Sequence, residues 1–230
     1  MEVYPFFSID PKLKEVAWRA EEAAQPYFQE IEAIQRYNQQ KMLAAFNRAG
    51  VSESHFVGST GYGYGDRGRD VLDQVYAYAL GAEDALVRHN FVSGTHTLTV
   101  ALFGMLRPGD KMLCVTGTPY DTIQGVIGME GRDEPGSLKE FGIQYEELAL
   151  RPDGTPDLEA MEQRITPAYK MIYIQRSRGY SLRPSLRVED IAPIVEIAKR
   201  KAPDAIVMVD NCYGEFVERE EPLAVGADII

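Results

Sequence analysis

The stretch Ala205–Tyr213, AIVMVDNCY, decides how the rest of the sequence is interpreted. Its run of apolar residues, between Pro203-Asp204 and a polar cluster, predicts a strand that is buried on both faces. Asp210 lies at the carboxyl end of this strand, where open α/β sheets place their ligand crevice. An isolated buried charge is costly, so this carboxylate needs a hydrogen bond or a cation. Two interpretations are open: Asp210 caps the following loop, or it faces the cationic ring nitrogen of a cofactor.

The overall composition is that of a folded, acidic chain. Its 230 residues are 45% hydrophobic and 26% charged, enough to form one large domain or one domain with an arm. The net charge of -11 argues against nucleic acid and anionic membranes as partners. Neither a membrane-length apolar run nor a signal-peptide layout is present, which predicts a cytoplasmic protein. Cys114 and Cys212 lie in apolar strand-like runs, so we expect two buried free thiols.

The order of elements predicts a helical arm followed by an α/β domain. Helical periodicity predicts two helices, at Pro11–Ala24 and Pro26–Ala49, ahead of the first strand signal. From Ala82 onward strand and helix patterns alternate, which is typical of a mostly parallel sheet. The end, Ala227–Ile230, has the pattern of a strand that is beginning, so we expect a longer polypeptide. The predicted strands are 85–90, 111–116, 143–148, 170–174 and 205–209, and the later helices are 69–80, 98–106 (apolar almost all round, hence buried), 157–165 and 188–201.

A glycine-dense loop, Gly58–Gly68, separates the arm from the first helix of the domain. Tyr62, Tyr64 and Arg67 in this loop can each donate to an anion, and its glycines permit close approach of a ligand. It lacks the preceding strand and the lysine of a nucleotide-binding P-loop. A flexible surface loop is the alternative interpretation. Asp66 is placed to cap the helix that follows.

Three further groups of residues lie at predicted ligand-facing positions. Ser93-Gly94-Thr95-His96 comes just before a helix, where free N–H groups and the helix dipole favour an anion, although capping alone also explains such a turn. His96 shows no metal-like spacing to the other histidines. Tyr120 can stack on a planar heterocycle or pack between helices. Arg176 and Arg178 follow the strand at 170–174 and can bind a carboxylate or phosphate.

Together these features resemble the aspartate-aminotransferase-like fold of pyridoxal-phosphate enzymes. Within that fold the chain resembles the cysteine/methionine-metabolism group, and most closely the methionine-γ-lyase-like "aluminium resistance protein" family. The likeness is carried by four stretches, each weak alone and jointly specific: Gly61-Tyr-Gly-Tyr-Gly-Asp-Arg-Gly-Arg-Asp70, Val92-Ser-Gly-Thr-His96, Ile174-Gln-Arg-Ser-Arg-Gly-Tyr180 and Val209-Asp-Asn-Cys-Tyr-Gly-Glu-Phe216.

The resemblance implies a fold and an activity. It implies a mostly parallel seven-stranded sheet between helices, with an arm at residues 1–57 and the cofactor-binding large domain at 58–230. It also implies pyridoxal 5'-phosphate as cofactor and a small sulfur amino acid as substrate, whose carbon–sulfur bond is cleaved by β- or γ-elimination. Active sites shared between subunits of a homodimer or homotetramer are a further implication.

The same resemblance assigns roles to individual residues. Gly94 and Thr95 offer N–H groups to the cofactor phosphate, Tyr120 stacks on its ring, and Asp210 pairs with its ring nitrogen and keeps it charged. Tyr120 and Asp210 are thus the expected catalytic residues. The other expected cofactor contacts are Ser93, His96 and Arg178, together with Tyr62, Tyr64 and Arg67, which are spaced one residue wider than the Tyr-x-Arg pattern of the γ-lyases.

One expected residue is missing from the sequence. The family attaches its cofactor to a lysine downstream of the strand-end Asp, whereas the last lysine here, Lys201, precedes Asp210. We expect that lysine, and the family's small carboxyl-terminal domain, beyond residue 230. A catalytically silent homologue with a binding or regulatory role is the alternative. A nucleotide- or S-adenosylmethionine-binding domain is a third, but the sequence lacks the Gly-x-Gly turn and the acidic ribose partner that it requires.

Overall fold

The computed structural model describes residues 7–62, 64–129, 131 and 135–230, so Gly63 of the glycine-dense loop lies outside the described residues. Helices and strands alternate from α3 onward, as predicted. In chain order the elements are α1 (Pro11–Arg48), a 3-10 helix (Glu53–His55), α2 (Arg67–Leu80), α3 (Gly94–Met105), β1 (Lys111–Cys114), α4 (Asp121–Ile127), β2 (Gln144–Glu147), α5 (Leu158–Arg164), β3 (Met171–Gln175), α6 (Val188–Lys201), β4 (Ile206–Asp210) and a 3-10 helix (Pro222–Val225).

The strands form one parallel sheet in the order β2-β1-β3-β4. Parallel pairing confirms the predicted architecture, but the sheet has four strands within the described residues, so the expectation of seven is wrong here. The predicted strand at Ala227–Ile230 is reduced to one parallel bridge between Met208 and Ile229. This order brings the carboxyl ends of all four strands to one edge.

The predicted strand at Ala85–Asn90 does not form. The carboxylate of Asp73, on α2, accepts two hydrogen bonds from this segment. One comes from the backbone N–H of Val87 at 2.8 Å and the other from the guanidinium of Arg88 at 2.7 Å. A side chain therefore satisfies a backbone donor that a neighbouring strand would otherwise have paired. The sequence pattern alone does not reveal this competition.

Strand alternation divides the core into two layers. Residues 172 and 174 of β3 and 207 and 209 of β4 pack against α5 and α6, whereas Met171, Tyr173 and Met208 pack with residues of α3 and α4. Because successive side chains of a strand point to opposite faces, Gln175 and Asp210 lie on the α3–α4 face. Arg176, one residue later, lies on the α6 side.

The arm is one helix, not the two that were predicted. α1 continues through Pro26, whose ring leaves the carbonyl four residues earlier, that of Glu22, without a helical partner. Glu22 is exposed, so the proline lies on a part of the helix where an unpaired carbonyl is not enclosed in the core. The carboxyl-terminal half of α1 packs on α2 through Ala45, Val75 and Ala79. No helix in the described part of the chain is both long and apolar enough to cross a membrane.

Two other predictions are wrong in detail. α3 begins four residues before the predicted Leu98 because Ser93 caps it, accepting the His96 N–H at 3.1 Å. It is also less buried than predicted, since Leu102 is its only residue that is fully covered. Cys114 is buried as expected, whereas Cys212 is exposed because β4 has already ended at Asp210.

Candidate functional site

Asp210 is a buried carboxylate at the carboxyl end of β4. It is 7% exposed. Oδ1 accepts the N–H of Cys212 at 3.2 Å, and the hydroxyl of Tyr173 donates to Oδ2 at 3.4 Å. Among the described residues, no lysine or arginine forms an ion pair with it. The Cys212 contact confirms the capping interpretation, and the unpaired charge leaves room for the other interpretation as well.

Burial sets the electrostatics of this carboxylate. Burial raises the pKa of Asp210 above its ordinary value, and the two hydrogen bonds offset part of that effect. Burial and the Asp210 charge together hold the pKa of Tyr173 far above its ordinary value, so Tyr173 keeps its proton and stays a donor. A cation brought next to Asp210 would therefore be strongly attracted, because it would compensate a charge that the protein leaves unpaired.

The amino end of α3 forms the second part of the site. The helix itself provides no acceptor for the N–H groups of Gly94 and Thr95 in its first turn. A Cβ added to Gly94 would meet nothing within 4 Å, so the space beside this turn is open. Thr95 Oγ1 contacts Thr122 Oγ1 at 2.7 Å, which ties α3 to α4. This end of α3 is able to bind an anion such as a phosphate.

The side chain of His96, in the same turn, contacts neighbouring residues of the protein. Its Nδ1 accepts the N–H of Val92 at 3.4 Å, and its ring meets Phe91 edge to face. These contacts favour the interpretation of His96 as a partner of the backbone.

Tyr120, just before α4, forms the third part. Its backbone N–H donates to Oε1 of Gln175 at 2.5 Å, and Gln175 is the register partner of Asp210. Its ring is half-buried and lies 5.9 Å from that of Tyr180, with a 34° tilt between them. A hydrogen bond with Tyr180, helped by desolvation, raises the pKa of Tyr120 to about 12. Tyr120 therefore presents an aromatic ring with a protonated hydroxyl beside the carboxylate.

The two arginines of the predicted cationic loop differ in burial. Arg176 is 3% exposed and lies on the side opposite to Asp210. Its guanidinium donates to Asn211 Oδ1 at 2.7 Å, to Gly214 O at 2.9 Å and to Glu218 Oε2 at 2.6 Å. The expectation that Arg176 is available to a ligand is therefore wrong. Arg178 is exposed, next to Gly179, whose added Cβ would come within 3.3 Å of the Tyr120 ring.

The glycine-dense loop is not joined to this site. Tyr62 and Tyr64 are 82% and 92% exposed, and Arg67 is exposed at the start of α2. Within the described part of the chain, no contact links them to Asp210, Tyr120 or the Ser93–His96 turn. Asp66 caps α2 as predicted, by accepting the Arg69 N–H at 3.4 Å, and also accepts the Ser59 hydroxyl.

Sequence reasoning missed three residues that hold the site together. Tyr173 and Gln175 share the face of Asp210, and Thr122 connects the amino ends of α3 and α4. The alternation of residues 171, 173 and 175 would have placed Tyr173 and Gln175 on one face. Pairing them with Asp210 also requires the β3–β4 register, which the sequence does not contain.

The arrangement suits one kind of ligand. A flat ring fits beside Tyr120, a positive ring atom fits Asp210, and an anionic group fits the open turn at Gly94 and Thr95. These three requirements match pyridoxal phosphate, so the residues present fit that group. Ser93, Gly94, Thr95, Tyr120 and Asp210 are the residues that would hold it.

Comparison with known proteins agrees with this chemistry. Residues 13–230 match the sequence profile described as methionine gamma-lyase. The uncharacterized protein YnbB of Bacillus subtilis is 45% identical over 218 residues, which is 95% of this chain and 52% of that protein. The L-methionine gamma-lyase of Pseudomonas putida is 32% identical over 142 residues, 60% of this chain and 30% of that protein.

A solved structure extends the likeness to three dimensions. The carbon-sulfur lyase involved in aluminum resistance from Clostridium novyi NT superposes with a TM-score of 0.91 at 47% identity, covering 96% of this chain and 53% of that one. The chain thus spans about half the length of these two relatives from Bacillus subtilis and Clostridium novyi.

Proposed function

The chain belongs to the methionine gamma-lyase family, and we propose that the protein is a pyridoxal-phosphate-dependent carbon–sulfur lyase that acts on a small sulfur amino acid by β- or γ-elimination. One observation carries the proposal: the buried carboxylate of Asp210, which forms no ion pair within the described residues, lies on the sheet face that packs against α3 and α4. Bound pyridoxal phosphate supplies an electron sink for the α-carbon of an amino acid.

Each residue of the site has a defined task in this proposal. Asp210 holds a proton on the ring nitrogen, because its buried negative charge favours the charged form of a neighbouring base. Gly94 and Thr95 bind the phosphate through backbone N–H groups, with Ser93 and His96 completing the turn. Tyr120 stacks on the ring, and its hydroxyl keeps its own proton at neutral pH. Arg178 is free to meet an anionic substrate group.

The assembly is part of the same proposal. Tyr62, Tyr64 and Arg67 are exposed and have no contact with the chain's own site within the described residues, so they are free to reach the phosphate of a neighbouring subunit. We therefore propose a homodimer or homotetramer with shared sites, in the cytoplasm. Residues 1–57 act as the arm and residues 58–230 as the cofactor-binding domain.

Replacement of Asp210 tests the function. In the complete protein, Asp210→Ala is expected to abolish both the visible absorbance of bound pyridoxal phosphate and turnover of methionine or cystathionine. Asp204→Asn, at an exposed position ahead of the same strand, is a matched control that should keep both. Full activity of Asp210→Ala would refute the assignment.

A catalytically silent homologue with a binding or regulatory role is the alternative candidate. Borohydride reduction of the protein with pyridoxal phosphate, followed by peptide mass spectrometry, separates the two candidates. A lyase leaves a pyridoxyl group on one lysine. A silent homologue leaves every lysine unmodified.

A further inference from the structure

The segment that follows Asp210 has an unfavourable backbone conformation. In residues 211–219, called here the post-strand segment, Tyr213 has a φ of 69° and Phe216 a φ of 59°. Residues other than glycine rarely adopt this left-handed backbone region. It is especially unfavourable for residues with bulky side chains, such as Tyr and Phe. Such a conformation persists only where surrounding contacts enforce it. The contacts of the segment therefore indicate what keeps it in shape.

The domain holds the segment from one side. Arg176 donates to the carbonyl of Gly214 at 2.9 Å and to the side chain of Asn211 at 2.7 Å. Glu221 Oε1 accepts the backbone N–H of Phe216 at 2.8 Å, and its Oε2 accepts from Asn211 at 3.0 Å. Both Arg176 and Glu221 are buried, so these bonds are shielded from water.

The arm helix holds the segment from the other side. Asn38, on α1, is 5% exposed, and its amide donates to the carbonyl of Phe216 at 2.8 Å and to that of Glu218 at 2.9 Å. One turn further along the helix, Lys41 donates to the carbonyl of Arg219 at 3.1 Å. The strained Phe216 is thus bound at its N–H by Glu221 and at its carbonyl by Asn38.

The segment in turn orients the carboxylate of the site. Cys212, its second residue, donates its N–H to Asp210 Oδ1 at 3.2 Å. We propose that Asn38 is a positioning residue of the cofactor site: by fixing the post-strand segment it holds the Cys212 N–H, and with it the carboxylate of Asp210, in the orientation that the cofactor ring needs. This inference rests on the proposed function. It makes α1 part of the site's framework as well as an arm.

Two measurements on the complete protein test the inference. The variant is Asn38→Ala, and the control is Asn47→Ala, an exposed asparagine on the same helix. Hydrogen exchange by mass spectrometry reports on the amides of residues 211–219. Equilibrium dialysis measures the dissociation constant for pyridoxal phosphate at a temperature where circular dichroism shows every variant folded.

The expected result is specific to Asn38. Loss of its hydrogen bonds should speed exchange in the post-strand segment and weaken binding of pyridoxal phosphate by roughly 2- to 12-fold, which corresponds to the roughly 0.5–1.5 kcal/mol that a buried hydrogen bond contributes. Asn47→Ala should change neither quantity by more than about twofold. If Asn38→Ala does not fold, Lys41→Met, at a half-buried position, should give the same two changes with smaller size.

Each contrary outcome has its own meaning. Unchanged exchange in the post-strand segment would show that Asn38 does not hold it, which overturns the inference. Faster exchange with an unchanged affinity for pyridoxal phosphate would mean that Asn38 only attaches α1 to the post-strand segment. That result also overturns the inference. If the unsubstituted protein does not bind pyridoxal phosphate, the proposed function itself fails, and that result is distinct from both.

Discussion

Gln175 and Asp210 are register partners at the carboxyl ends of β3 and β4, and the side chain of Gln175 binds the backbone of Tyr120 at 2.5 Å. One strand end therefore fixes the aromatic residue relative to the carboxylate on the next. The backbone N–H of Gln175 also donates to Oγ1 of Thr116, two residues beyond the end of β1, at 2.9 Å. The two residues that the proposed chemistry needs are thus connected through the rigid sheet, which favours a preformed site.

Asp210 is expected to lower the stability of the cofactor-free protein at neutral pH. Burial raises its folded pKa above the ordinary value of 3.8, so the folded chain holds this proton more tightly than the unfolded chain does. The stability that it contributes is complete below the unfolded pKa and is lost as pH rises through the folded pKa. Asp210→Asn should therefore be more stable than the unsubstituted protein at pH 7, with a difference that shrinks toward pH 4.

Urea unfolding of the cofactor-free protein at several pH values measures this difference. Asp204→Asn, at the exposed position, should follow the unsubstituted protein at every pH. A gap for Asp210→Asn that stays constant with pH would contradict the explanation by burial.

The ring and the hydroxyl of Tyr120 should have separable effects. Tyr120→Phe keeps the aromatic face, so pyridoxal phosphate affinity should stay close to that of the unsubstituted protein while turnover falls. Tyr120→Leu removes the stacking, worth about 0.5–1.5 kcal/mol, and should weaken affinity by roughly 2- to 12-fold. Equal affinities for the Phe and Leu variants in fluorescence titrations would argue against stacking.

Arg176 should matter for stability more than its neighbour Arg178. Its guanidinium is buried against Glu218 and Glu221, with a shortest ion-pair distance of 2.6 Å. Arg176→Met leaves the buried carboxylate of Glu221 without its ion-pair partner, which typically costs about 3–5 kcal/mol, whereas Glu218 keeps its ion pair with Arg187 at 3.5 Å. Arg178→Met, at the exposed position two residues later, should change the free energy of unfolding by less than about 0.5 kcal/mol. Equal costs in chemical denaturation would show that the Arg176 network contributes little.

Gly179 should be less replaceable than a glycine of similar backbone conformation elsewhere. Gly179 has a φ of +57° and an added Cβ would lie 3.3 Å from the Tyr120 ring, whereas Gly81, at the end of α2, has a φ of +75° and open space around it. Alanine at either position incurs backbone strain of more than about 0.4–1 kcal/mol. Gly179→Ala should be the more destabilising in thermal unfolding, and it alone should weaken pyridoxal phosphate binding. Matching effects of the two variants would mean that the contact with Tyr120 is unimportant.

Several features were predictable because they depend on local patterns. The apolar run before Asp210, the strand–helix alternation after residue 110 and the Asp66 cap all follow from periodicity and capping chemistry within a few residues. The residues Ser93, Gly94, Thr95, Tyr120 and Asp210 were found because each comes at the end of a strand or the start of a helix. Their assignment to pyridoxal phosphate came from the family resemblance, and their individual roles stay predictions.

Other features depended on competition that no local pattern encodes. The strand expected at Ala85–Asn90 does not form because Asp73 takes its backbone donor. The break expected at Pro26 does not occur: α1 continues through the proline, at an exposed part of the helix. Arg176 and Arg178 have the same chemistry in the sequence, yet Arg176, directly after β3, is buried against Glu218, whereas Arg178 is exposed in the loop that follows.

The local sequence was sufficient to predict the buried strand that ends at Asp210, since its apolar run and its strand period involve only residues close in sequence. Only the tertiary structure showed which residues surround the Asp210 carboxylate. The parallel register sets Gln175 beside Asp210, and α1 reaches the post-strand segment across 178 residues of chain through the bond from Asn38 to Phe216. Such contacts join distant parts of the chain, and their geometry exists only once the sheet and helices have packed.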